Sequence, residues 1–135
     1  MKPNYDSAII CYKNAIGIDS LNKLTFYSLA WCYNSKKEYG SAIYYAAKAL
    51  DIDNGYRTAY SELAHAYHNS KKYEEGIEQF KKNMARSEID LPYYYSGLIY
   101  TELKKEDEAL KMAERLEKLN PKMAAKLKQK IDAMQ

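Results

Sequence analysis

The chain has 135 residues, and 47% of them are hydrophobic, which is enough to bury the core of one domain without a metal or a disulfide. Its 21 Lys and Arg barely exceed its 18 Asp and Glu, so the charge does not favour nucleic acid as a partner. Cys11 and Cys32 form no spaced thiol motif, which argues against a zinc ribbon or a dithiol redox site.

The chain repeats itself with a period of 33 or 34 residues. Small residues recur at intervals of 34, 34 and 33, and each is followed at once by an aliphatic residue. These pairs are Ala8-Ile9, Ala42-Ile43, Gly76-Ile77 and Ala109-Leu110. A second series has the same intervals and is aromatic: Phe26, Tyr60 and Tyr93. Several columns in one register indicate an internal structural repeat.

Helices are predicted throughout each period, because apolar residues recur at three- and four-residue steps. In chain order, we expect the second helix of a partial repeat over 4–20 and full repeats over 23–56, 57–89 and 90–121. Lysine-rich connections such as Ser35-Lys36-Lys37-Glu38 indicate tight helical hairpins. The absence of valine and of sustained alternation argues against a sheet.

The last segment, 122–135, is predicted to be a capping helix, and Pro121 marks the helix start. Met123, Leu127, Ile131 and Met134 form one apolar stripe, while the neighbouring lysines point elsewhere. A terminal helix of a repeat array needs this pattern, with one face for the core and one for water.

These columns resemble the tetratricopeptide repeat, a helix-turn-helix unit of 34 residues with bulky, Leu-Ala, Tyr and Ala positions in this order. The middle unit matches with Phe26, Leu29-Ala30, Tyr33 and Ala42. The resemblance implies an all-α fold, namely a right-handed α-α superhelix of helical hairpins with a C-terminal capping helix, and a single domain over 1–135. It also implies a protein-protein interaction scaffold that has no enzymatic activity and needs no cofactor.

In this family, the first helix of each pair lines a concave groove, and its outward residues contact the ligand. Carried over residue by residue, the partner-binding face comprises Tyr27, Trp31, Asn34, Glu62, His65, His68, Asn69, Tyr94, Tyr95 and Leu98. This face is aromatic and polar and carries no Lys or Arg, which is typical of interfaces rather than of a solvated helix surface. We expect an extended protein or peptide segment there. The alternative is that Trp31 and some of the tyrosines are packing residues.

Four other functions are weaker interpretations of the sequence. Ile9, Tyr12 and Ile16 would lack a preceding helix, so the chain either continues a longer array or forms a dimer through this first helix. Glu62, His65 and His68 share a helix face and could bind a metal, although no other ligands are evident. The tail 118–130 is lysine-rich but is a poor argument for RNA. No catalytic motif is present.

We expect no membrane partner and a cytoplasmic location. No stretch reaches the roughly 18 apolar residues of a membrane span, and the first five residues lack the apolar run of a secretion signal.

Overall fold

The computed structural model describes residues 4–134, and within this range it contains eight helices and no strand. The helices are α1 Tyr5–Ile18, α2 Lys23–Ser35, α3 Tyr39–Ile52, α4 Arg57–Ser70, α5 Tyr73–Arg86, α6 Asp90–Glu102, α7 Glu106–Leu119 and α8 Pro121–Asp132. The predicted all-α repeat fold is confirmed. In the described part of the chain, no helix is both long and apolar enough to cross a bilayer.

The helices form two compact units that divide between Lys71 and Lys72. In the first unit, α2 packs on α1, α3 and α4, and α3 also packs on α4. In the second unit, α6 packs on α5, α7 and α8, and α7 also packs on α8. The arrangement of residues 1–135 as one repeat domain stays a prediction.

The small residues of the repeat lie where helices meet. In the first unit, Ala42, Ala46 and Ala49 are completely buried along one face of α3. In the second unit, Ala109 and Ala113 are completely buried on α7. Because alanine adds little bulk, the backbones of neighbouring helices can approach closely, and large side chains fill the remaining space.

Three turns between helices contain a lysine in the left-handed backbone conformation: Lys37 (φ 63°), Lys71 (φ 58°) and Lys104 (φ 61°). In the turn after α2, the amide of Lys37 donates to the carbonyl of Asn34 and that of Glu38 donates to Tyr33, both at 2.9 Å. This is the Schellman pattern, which usually has glycine at the left-handed position. The turns after α2, α4 and α6 thus end their helices with the same backbone conformation.

The predicted capping helix is α8, which begins at Pro121 as expected. The side chain of Asn120 caps its N-terminus by accepting from the amide of Met123, and its Nδ2 donates to Asp90 Oδ2 at 2.9 Å. Leu127 and Ile131 are buried, as the stripe predicted. Gly97 on α6 makes room for Leu127: a Cβ at position 97 would lie 2.9 Å from Leu127 Cδ1 and closer still to Cδ2.

Ile9, Tyr12 and Ile16, which we expected to lack a preceding helix, pack instead with residues of the following helices, among them Leu29, Cys32 and Ala42. The apolar residues that remain uncovered lie elsewhere on α1 and in the turn that follows it. They are Ile10 (61% exposed), Ile18 (90%) and Leu21 (75%). Residues of α2 and α3 cover one face of α1, and another face of α1 is exposed to solvent.

Candidate functional site

Seven of the ten predicted partner-binding residues lie on α2 and α4 of the first unit, and we call their surface the α2–α4 surface. It comprises Tyr27, Trp31, Asn34, Glu62, His65, His68 and Asn69. The two helices are linked by Asn34, whose Nδ2 donates to the backbone carbonyl of Glu62 at 2.9 Å and to its Oε2 at 2.7 Å. The Oδ1 atom of Asn34 is buried and has no hydrogen-bond partner among the described residues. Asn34 therefore lies within the helix contact, and only 6% of it is exposed.

Tyr27 and Trp31 are the aromatic residues of this surface. The Tyr27 ring is half-buried and meets the ring of Tyr56 edge-on, with centroids 5.9 Å apart. Burial raises the pKa of the Tyr27 hydroxyl, and the nearby carboxylate of Glu62 raises it further. Trp31 is 45% exposed, and its ring is held edge-on by Tyr5 at 5.5 Å. An exposed indole that is oriented by a neighbouring ring suits the role of an interface anchor.

The polar residues on α4 are more open than Asn34. His65, His68 and Asn69 are all exposed. The ring of His65 lies edge-on to Tyr39 at 6.2 Å, and Asn69 Nδ2 donates to the His65 carbonyl at 2.8 Å. The amide of Asn69 is thus engaged by its own helix. Among the described residues, no group of three His, Cys, Asp or Glu side chains is arranged to hold a metal ion.

The remaining three predicted residues, Tyr94, Tyr95 and Leu98, lie half-buried on α6 of the second unit. Tyr95 stacks on the buried ring of Phe80 at 6.0 Å, so it packs between α5 and α6. Tyr94 meets Tyr95 at 5.6 Å, and burial raises the pKa of the Tyr94 hydroxyl. Tyr95 thus fits the alternative interpretation, in which some of the predicted tyrosines are packing residues.

A second concave feature of the first unit was not predicted. A cleft of about 850 Å³, which we call the α1–α3 cleft, is lined mainly by residues of α1, α3 and the turn between α1 and α2. Its lining comprises Lys13, Ile16, Ser20, Leu21, Phe26, Tyr44, Tyr45, Lys48, Asp51 and Ile52. These residues are scattered over 40 positions of the sequence, and most of them lie outside the first helices of the repeats, from which the partner-binding face was predicted. Because these residues come from three separate segments, no local sequence pattern indicated the cleft.

Comparison with known proteins agrees with the repeat pattern. A family model described as tetratricopeptide repeat matches residues 58–83 and 92–123. No curated protein matches the chain. Two crystal structures of MamA are 21% and 23% identical, with TM-scores of 0.65 and 0.64. Each covers 96% of this chain, which spans 88% and 76% of the MamA chains, and they show the fold alone.

The crystal structure of YrrB, described as a TPR protein with an unusual peptide-binding site, is 25% identical with a TM-score of 0.57. It covers 82% of this chain, which spans 57% of the YrrB chain. The family resemblance that we inferred from the period agrees with the residues that the family model matches. The solved structures agree with the predicted repeat fold. Over residues 58–83 and 92–123, the chain is therefore similar to the tetratricopeptide repeat.

Proposed function

We propose that this chain is an interaction scaffold that holds an extended segment of a partner protein against the α2–α4 surface. Tetratricopeptide repeats support the general role, and YrrB is a TPR protein described as having a peptide-binding site. The observation that carries the proposal is Trp31, a 45% exposed indole on a surface of aromatic and polar groups. A large aromatic side chain costs free energy in contact with water, and a bound segment would remove that contact.

The segment would place an apolar or aromatic side chain against Trp31 and Tyr27. No Lys or Arg belongs to this surface, so an acidic chain terminus would find no cation to pair with there. Glu62 and the exposed imidazoles of His65 and His68 instead offer hydrogen bonds at the edge. On α6, we propose that Tyr94 and Leu98 contribute to a surface of the second unit. Tyr95 would support that surface through its stack on Phe80.

Replacing Trp31 with alanine is expected to weaken peptide binding by about 2 kcal/mol or more, close to thirtyfold in Kd. Peptides would be selected on the wild-type chain from a displayed random library, and their affinities measured by fluorescence anisotropy. Trp31 is the only tryptophan of the sequence, so its emission also reports occupancy of this surface directly. Leu110→Ala, which removes an exposed leucine on α7, is the matched control. Equal affinity of the wild type and the Trp31 variant would refute the proposal.

Self-association through α1 is a second candidate function, and the exposed Ile10, Ile18 and Leu21 favour it. Two copies could cover these residues by packing their first helices together across a two-fold axis. We expect sedimentation to detect a dimer at high protein concentration, and we expect the double substitution Ile10→Lys and Ile18→Lys to yield a monomer. Leu110→Lys should leave the dimer intact. A wild-type chain that sediments as a monomer at every concentration would exclude this candidate.

A further inference from the structure

The α1–α3 cleft has the composition of a binding site, and it shares no residue with the α2–α4 surface. Its walls are formed by aliphatic and aromatic side chains, among them Ile16, Phe26 and Tyr45. Tyr45 is held in place by its neighbours: its ring stacks on Phe26 at 6.2 Å and on Tyr33 at 5.5 Å. A wall built from mutually stacked rings is preorganised, which lowers the entropic cost of binding.

The rim of the cleft is apolar and open to water. Leu21 is 75% exposed, Tyr44 56% and Ile52 37%. Small-molecule pockets commonly enclose most of their ligand's surface, and a cleft with so open a rim cannot do so. A polypeptide segment fits better, because it needs contact along only one side. Contiguous exposed apolar residues also mark protein interaction sites.

Two lysines give the cleft its charge. Lys13 Nζ lies 5.7 Å from the centre of the Tyr33 ring, and Lys48 Nζ lies 5.4 Å from the centre of the Tyr44 ring. In the described part of the chain, neither lysine forms an ion pair. Lysine is charged at neutral pH, and a side-chain hydrogen bond with Tyr33 raises the pKa of Lys13 further. Asp51 also lines the cleft and leaves a net positive charge there.

These observations identify the chemistry of the occupant. Two ammonium groups on an apolar wall attract carboxylates, and the exposed rings and aliphatic side chains attract apolar side chains. Phosphate-rich partners fit less well, because a nucleic acid would meet Asp51 and a mostly apolar lining. We propose that the α1–α3 cleft is a docking site for an acidic segment of a partner protein that also carries aromatic or aliphatic side chains. This site is independent of the peptide-binding role proposed for the α2–α4 surface.

The test uses the full chain and a displayed library of twelve-residue peptides built from Asp, Glu, Phe, Tyr, Leu and Ser. Binding of selected peptides would be measured by fluorescence anisotropy against Lys13→Glu/Lys48→Glu and, as a matched control, Lys81→Glu/Lys82→Glu on the exposed face of α5. We expect the first pair of substitutions to weaken binding at least about tenfold and the control pair to change it less than about twofold. Tyr44→Ala should also weaken binding. Lys13→Gln/Lys48→Gln repeats the test without reversing charge, in case the glutamates disturb folding.

Two further arms make the outcome specific. Peptides in which lysine replaces every acidic residue should bind the Lys13→Glu/Lys48→Glu variant better than the wild type, because the charges are exchanged. Trp31→Ala should leave the affinity unchanged, so that failure here is distinguishable from failure of the α2–α4 proposal. The proposal is overturned if no peptide is enriched over the glutamate variant, or if Trp31→Ala abolishes binding. It is also overturned if the wild-type chain dimerises and the glutamate variant does not, since the occupant would then be a second copy.

Discussion

Replacing Gly97 with alanine is expected to lower the free energy of unfolding by about 1–2 kcal/mol, although alanine is the better helix former. Helix propensity alone would stabilise the variant by about 1 kcal/mol. The added methyl group, however, would lie 2.9 Å from Leu127 Cδ1 and closer still to Cδ2. Leu127 is completely buried, so its side chain would have to move within a packed core. We therefore expect steric strain to outweigh propensity, as measured by urea unfolding followed by circular dichroism.

A double-mutant cycle isolates this contact. Leu127→Ala alone should cost about 2–5 kcal/mol. In that background, Gly97→Ala should become neutral or stabilising, because the atoms it would meet have been removed. Ser96→Ala is the neighbouring control: its Oγ is buried without a hydrogen-bond partner among the described residues, so its removal should be neutral or stabilising. If Gly97→Ala costs the same with and without Leu127, the close approach of α6 and α8 is not the cause.

Replacing Tyr60 with alanine should destabilise the chain more, by about 3–5 kcal/mol. The ring of Tyr60 is completely buried in the first unit. Its hydroxyl donates to the carbonyl of Asn54 at 2.6 Å and so fixes the turn between α3 and α4. The alanine variant leaves a cavity and loses this hydrogen bond. Since many domains are stable by only about 5–15 kcal/mol, thermal unfolding should begin at a clearly lower temperature.

Two substitutions separate the parts of that effect. Tyr60→Phe keeps the ring and removes only the hydroxyl, so it should cost about 1 kcal/mol. Tyr44→Ala removes a tyrosine that is 56% exposed, and its effect on stability should be small. Similar losses for Tyr44→Ala and Tyr60→Ala would contradict the burial that the structure assigns to Tyr60.

Most of the helical architecture could be predicted because small and large residues recur at the period of the repeat. Ala42 and Ala109 are small and completely buried, and Tyr60 is large and completely buried, so the period of the sequence is also the period of the packing. The start of α8 could be predicted because proline at position 121 costs no helical hydrogen bond. The left-handed lysines could not, since the usual signal for that conformation is glycine or asparagine.

The candidate site was predictable as a set of helix faces but not as a set of contacts. Periodicity places Trp31 and Asn34 on one face of α2, yet it cannot decide how far each side chain is covered. Asn34 turns out to bond across to Glu62, which depends on side-chain torsions and on how α2 and α4 approach each other. Tyr95 stacks on Phe80, because aromatic rings near a helix contact lower their energy by packing. The α1–α3 cleft arises from residues far apart in the sequence, so no local pattern predicted it.

The left-handed lysines in the turns between helices have a consequence for how the sequence can vary. Lys37, Lys71 and Lys104 each adopt the left-handed backbone conformation. For residues other than glycine, asparagine and aspartate, this conformation costs about 1–2 kcal/mol. At Lys37 and Lys104, the packed helices on either side impose that shape. The side chain at each of these three positions can therefore vary. Each lysine keeps backbone strain that glycine would relieve. Replacing these lysines with glycine, one at a time, would thus raise the stability of the fold without altering a residue of either proposed binding surface.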